Sequence, residues 1–126
     1  MAAVSSAVST APFRLPAAPA RVDLVAKYFR GLGDPSRLRI LELLRREGEL
    51  SVGELVQRLR LPQPKVSNHL ACLRWCGFIE ARREGRIVYN RIADPRVAAM
   101  LELAESLLAD NGEHVAACCE IERPRQ

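Results

Sequence analysis

The chain has 126 residues, 48% hydrophobic and 27% charged, with a net charge of +4. These are the proportions of one globular domain with a modest core. No run approaches the roughly 18 apolar residues that span a bilayer. The N-terminus lacks the basic start and apolar core of a secretory signal. A cytoplasmic location with no membrane partner is therefore expected. In a reducing compartment, four cysteines point to metal ligands or redox thiols rather than disulfides.

Residues 1–20 are rich in Ala, Pro, Ser and Thr and read as a disordered N-terminal arm. From Val22 apolar residues recur at helical spacing (Val25, Ala26, Phe29, Leu32), ending near Gly31 or Gly33. Asp34-Pro35 is a strong helix start, with Asp as N-cap and Pro at the first helical position. It predicts a helix to about Arg46 that buries Leu38, Ile40, Leu41, Leu43 and Leu44. Ser51 and Glu54 form a capping-box pattern opening a helix over Val52–Leu59. After a short turn, a further helix runs from Pro62 to about Cys76 and stops at Gly77. Two short helices joined by a tight turn make a helix-turn-helix.

Phe78–Arg83 and Arg86–Ile92 read as strands joined at Glu84-Gly85. Asp94-Pro95 opens a last helix with Val97, Met100, Leu101, Ala104, Leu107 and Leu108 on its apolar face. It is expected to end near Asn111-Gly112. The fold class is thus mainly α with a β-hairpin wing. Residues 21–111 read as the one folded domain, and 112–126 as a tail that carries Cys118 and Cys119.

Charge is unevenly placed. Arg58 to Arg91 holds eight basic and two acidic residues, while Asp94 to Glu122 holds seven acidic and one basic. The basic block suits a polyanion, although two solvated surfaces would give the same count. On the Pro62–Gly77 helix, Val66, Leu70, Leu73 and Gly77 turn to the core. Gln63, Pro64, Ser67, Asn68, Ala71 and Arg74 occupy the opposite half, with Lys65 at the margin. Gln, Asn and Arg on such a face hydrogen-bond base edges in a major groove, and Lys65 meets phosphate. An ordinary surface helix is the competing reading. Arg82, Arg83 and Arg86 at the hairpin suit a phosphate backbone or minor groove. Charge protection of a sheet edge is the alternative there.

The stretches "LGDPSRLRILELL", "ELSVGELVQRL" and "PQPKVSNHLACLRWCGFIEARREGRIVYNRI" resemble the ArsR/SmtB family of winged-helix metal-responsive repressors. The resemblance implies a winged helix-turn-helix homodimer. It also implies binding to double-stranded operator DNA at an imperfect inverted repeat, and release when an inducer binds. His69 matches a histidine that is structural in many members. The arsenic/cadmium site of the family needs cysteines where this chain has Ser51 and Gly53. Its zinc site needs a histidine where Arg96 stands. The segment "HLACLRWCG" is instead similar to the cadmium/lead-sensing branch, and mercury- and arsenic-responsive members use cysteines in the same region. The carried-over ligands are Cys72 and Cys76 with Cys118 or Cys119; His114, four residues before Cys118, is a further candidate donor by its spacing alone.

Cys72 and Cys76 are four apart on one helix, so their side chains lie about 5–6 Å apart on one face. One metal ion bridges such a pair by rotamer choice, whereas a disulfide needs Cβ atoms about 3.8 Å apart. All-sulfur ligation selects soft ions: Cd²⁺, Pb²⁺, Hg²⁺ or As(III). Small core residues, a disordered tail and a solvated His114 are the plainer readings of these positions. A thiol redox-sensing repressor on the same fold is the alternative function. Enzymatic chemistry is not expected, because no base, phosphate loop or carboxylate pair accompanies any cysteine.

Overall fold

The computed structural model describes residues 20–118. The arm at 1–19 and the tail positions from Cys119 on lie outside the described residues. Five helices and three short strands follow in chain order: α1 (Arg21–Leu32), α2 (Pro35–Glu47), β1 (Glu49–Ser51), α3 (Val52–Leu59), α4 (Gln63–Trp75), β2 (Ile79–Glu84), β3 (Ile87–Ile92) and α5 (Pro95–Ala117). Among the described residues no helix is long and apolar enough to cross a membrane.

Local chemistry sets most boundaries. The Asp34 carboxylate accepts from the Ser36 and Arg37 amides at 2.8 and 3.1 Å and starts α2. Ser51 and Glu54 close their capping box in both directions, at 3.1 and 2.8 Å. Gly77 takes the left-handed conformation (φ 80°) after α4. There the Phe78 amide donates to the Leu73 carbonyl at 2.9 Å and the Gly77 amide to Arg74 at 3.0 Å. That pattern ends the helix and turns the chain directly into the wing.

Ile40, Leu41, Leu44, Leu55, Val66, Leu70, Leu73 and Phe78 are fully buried and form the centre of the core. Leu38, expected inside, is 40% exposed, and Leu43 is only partly buried. The sheet is antiparallel in the order β1-β3-β2. Strand β1 was not foreseen. It pairs Glu49 with Arg91 and Ser51 with Tyr89, and so ties the hairpin to the helical body.

The last helix also departs from expectation. Asn111-Gly112 does not stop it, and α5 continues to Ala117. The Asn111 side-chain amide donates back to the Leu107 carbonyl at 3.1 Å, inside the helix. Gly112 costs about 1 kcal/mol relative to alanine, which one residue in a long helix tolerates. In the single chain only Val97 of α5 is buried, with Met100 and Leu101 packed on the core. Leu103, Leu107, Leu108 and Val115 are exposed, as are Val22, Leu24, Val25 and Phe29 on α1.

Candidate nucleic-acid interface and thiol pair

Helix α4 presents the polar and buried faces that its sequence implies, except that Gly77, expected toward the core, is exposed just past the helix and Ala71, expected outside, is half-buried. Val66, Leu70 and Leu73 are buried, whereas Gln63, Pro64, Lys65, Ser67, Asn68 and Arg74 are exposed. Between α4 and the hairpin lies an open cleft of about 500 Å³, whose lining includes Gln63, Ser67, Arg74, Arg86 and Val88. The structure thus brings Arg86 of the wing together with Gln63, Ser67 and Arg74 of α4 on a single concave surface, while Lys65, Asn68, Arg82 and Arg83 do not line it. That surface carries donors and positive charge and no acidic side chain.

The wing arginines divide by strand parity. Arg82 stands opposite Tyr89, and Arg83 opposite Val88. Successive strand residues face opposite sides, so Arg83 shares the face of buried Asn90 and of Val88 at the cleft. Arg82 lies on the outer face. There it donates to Glu49 at 2.9 and 2.8 Å and to Glu84 at 3.0 Å. Sequence reasoning grouped it with Arg83 and Arg86. Its partner Glu49 lies 33 residues earlier, in the strand that no local pattern signalled.

His69 has a packing role. Arg37 donates through Nε to His69 Nδ1 at 3.2 Å and through Nη1 to the Gly31 carbonyl at 3.0 Å. Arg37 therefore ties α1, α2 and α4 together at one point. Arg37 was not singled out from sequence, and nothing in its spacing marks it.

The two α4 cysteines come together beside that point. Burial, followed by the adjacent Cys72, pushes the Cys76 thiol above its ordinary pKa. Cys76 packs on the core. Its sulfur fits because Gly31 has no side chain: a Cβ there would lie 3.3 Å from Cys76 Sγ and 3.6 Å from Phe78. Cys118 is half-buried at the end of α5, and His114 is exposed one turn earlier. Among the described residues, no group of three or more His, Cys, Asp or Glu side chains in one chain is arranged to hold a metal ion. Among the described residues, then, no third donor stands with Cys72 and Cys76, and Cys119 lies outside them.

Comparison with known proteins agrees with this architecture. A family model described as "Bacterial regulatory protein, arsR family" matches residues 34–81. A probable mercury resistance operon repressor of Streptomyces lividans is 42% identical over 99 residues, covering 79% of this chain and 78% of its own length. The crystal structure of Mycobacterium tuberculosis Rv0081 superposes with a TM-score of 0.72 at 36% identity, covering 79% of this chain and all of that one. A solution structure from Mycobacterium bovis, described as a homodimeric winged helix-turn-helix DNA-binding domain of a possible ArsR-family regulator, gives 0.64 at 33% identity over 77% of this chain and 92% of that one. The chain belongs to the ArsR family of bacterial regulatory proteins: it is a transcriptional regulator with a winged-helix DNA-binding fold, not an enzyme.

Proposed function

We propose that this protein represses transcription by holding operator DNA in its metal-free form and releases it when a soft ion binds its cysteine thiols. The ion is Cd²⁺, Pb²⁺, Hg²⁺ or As(III), and the ligands are Cys72 and Cys76 with Cys118 or Cys119. His114, four residues before Cys118, is a subordinate donor. The observation that carries this reading is the juxtaposition of Cys72 and Cys76 on the helix that lines the cleft. Two adjacent sulfurs suit soft, thiophilic ions. The relative from Streptomyces lividans, described as a mercury resistance operon repressor, supports the same class of inducer.

A raised thiol pKa leaves Cys76 protonated at neutral pH, a poor starting point for a redox sensor that needs free thiolate. A bound ion displaces the proton. The third sulfur is supplied by the tail, from Cys118 of a second copy or from Cys119. A homodimer fits the apolar residues left exposed on α1 and α5. Two-fold symmetry would then match an inverted repeat, with the two α4 helices in successive major grooves.

Titrating Cd²⁺ or Hg²⁺ into the protein bound to a duplex selected from a randomised pool tests the switch. Thiolate-to-metal charge-transfer absorbance should rise in step with loss of DNA anisotropy. Absorbance without DNA release would leave the cysteines as metal ligands but remove the regulatory role.

For the DNA face, Asn68→Ala should cost on the order of 1–3 kcal/mol on the selected sequence and relax base preference. Arg83→Ala should weaken binding to all sequences alike and flatten the salt dependence by about one phosphate contact. Anisotropy titrations across a salt series measure both effects. An unchanged slope for Arg83→Ala would take Arg83 off the DNA.

A further inference from the structure

We propose that Arg82 is a positioning residue, a strap that lashes the hairpin to β1 through Glu49, so that the wing's phosphate contacts fall to Arg83 and Arg86 alone. This rests on the reading of the cleft as a DNA-binding surface.

The geometry of the sheet carries the inference. In the order β1-β3-β2, Arg82 on one edge and Glu49 on the other are separated by the whole of β3. The Arg82 side chain crosses that strand over the ring of Tyr89, its guanidinium carbon 4.6 Å from the ring centroid. Beyond the ring, Nε and Nη2 form a paired contact with the Glu49 carboxylate at 2.9 and 2.8 Å. Nη1 is taken by Glu84 at 3.0 Å, on the same strand near the hairpin tip. All three guanidinium nitrogens are thus engaged, and the planar fork meets a carboxylate in the arrangement that favours arginine over lysine.

Three strands are therefore fastened by one side chain. The hairpin otherwise reaches β1 only through the three pairs Glu49–Arg91, Leu50–Asn90 and Ser51–Tyr89. The charges point the same way. Around Arg82 the outer face holds Glu49, Glu80 and Glu84 with Arg82 and Arg91, three carboxylates to two guanidinium groups, an excess of negative charge that disfavours phosphate. Arg83, opposite Val88, is on the other face of the hairpin from Arg82, the face from which Val88 reaches the cleft.

The Glu49→Gln variant distinguishes the two roles by sign. Deleting a negative charge from a DNA-binding protein should tighten binding if Glu49 acts only through its field. If Glu49 anchors the wing, binding should weaken. Binding to a duplex selected from a randomised pool is measured by anisotropy over a salt series, below the melting temperature of every variant. Glu49→Gln, Arg82→Gln and the charge-preserving Arg82→Lys should each weaken binding about three- to tenfold with the wild-type salt slope. The Glu49→Gln, Arg82→Gln double variant should be no weaker than either single, the mark of one shared interaction.

Tighter binding by Glu49→Gln, wild-type affinity in Arg82→Lys, or a slope reduced by about 0.9 in Arg82→Gln would make Arg82 a phosphate contact and overturn the proposal. A wild-type slope in both Arg83→Ala and Arg86→Ala would instead remove the wing from the DNA altogether, and with it any need to position it.

Discussion

The Cys72→Ser, Cys76→Ser protein is expected to bind operator DNA with near wild-type affinity and to keep that affinity when Cd²⁺ or Hg²⁺ is added. Neither residue is among the exposed Gln63, Ser67, Asn68 and Arg74 of the proposed DNA face, both being half-buried, and serine preserves their size. What serine lacks is a polarizable thiolate for a soft ion. Allosteric couplings between a ligand and DNA are typically about 1–3 kcal/mol, a 5- to 150-fold change in affinity. All of that difference should vanish in the variant. Linkage demands the reverse effect as well, so operator DNA should weaken metal binding to the wild-type protein by the same factor. The Cys118→Ser, Cys119→Ser change should reduce the response in part and lower metal affinity. Gel shift with and without Cd²⁺ decides the matter. Full metal-induced release from the Cys72→Ser, Cys76→Ser protein would place the inducer site elsewhere on the molecule.

Phe78→Ala is expected to be the most destabilising single change near the site, at about 3–5 kcal/mol. Set against typical domain stabilities of roughly 5–15 kcal/mol, that loss consumes a large share of the total. The ring is fully buried. It packs 4.5 Å from the Tyr28 ring centroid, and a Cβ at Gly31 would lie 3.6 Å from it. Its amide closes the end of α4 on the Leu73 carbonyl. Phe78 thus joins α1, the end of α4 and the start of the wing. Truncation leaves a cavity among groups fixed by backbone hydrogen bonds, which limits collapse. Denaturant unfolding in the absence of metal measures the effect. A loss below about 1 kcal/mol would mean that the surroundings refill the space.

Sequence made the local features of this fold legible. Asp34-Pro35, the Ser51–Glu54 box, Gly77 and Gly85 each act within a few residues, and each appears where expected. The polar and buried faces of α4 followed from period alone. What stayed hidden depends on pairing between distant segments. Strand β1 is three residues long and exists because Glu49 meets Arg91, 42 positions later. Arg82 looked like its neighbours Arg83 and Arg86 because its partner lies in that strand. The stop at Asn111-Gly112 misled for the opposite reason: a strong local signal was overridden within a long helix. The thiol pair was legible because four-residue spacing on a helix fixes proximity. No periodicity specifies which further sulfur joins it.

The reach of α5 carries a mechanical consequence. Its 23 residues make a rod about 34 Å long at 1.5 Å per residue. Among the described residues it is fixed near its base, by Val97, Met100 and Leu101 in the core and by Arg45, which bonds Glu105 at 3.1 Å and approaches Glu102 at 3.9 Å. Every residue from Glu102 to Asn111 is exposed. A cantilever of this kind amplifies. If the pivot sits at Glu105, the remaining 12 residues to Ala117 span about 18 Å, and a tilt of about 5° there swings the tip by roughly 1.5 Å. That displacement is more than half the length of a metal–sulfur bond of about 2.3 Å. Cys118 caps the tip, so on the proposed ligation a small rotation at the base would be enough to carry its sulfur into or out of bonding distance of an ion.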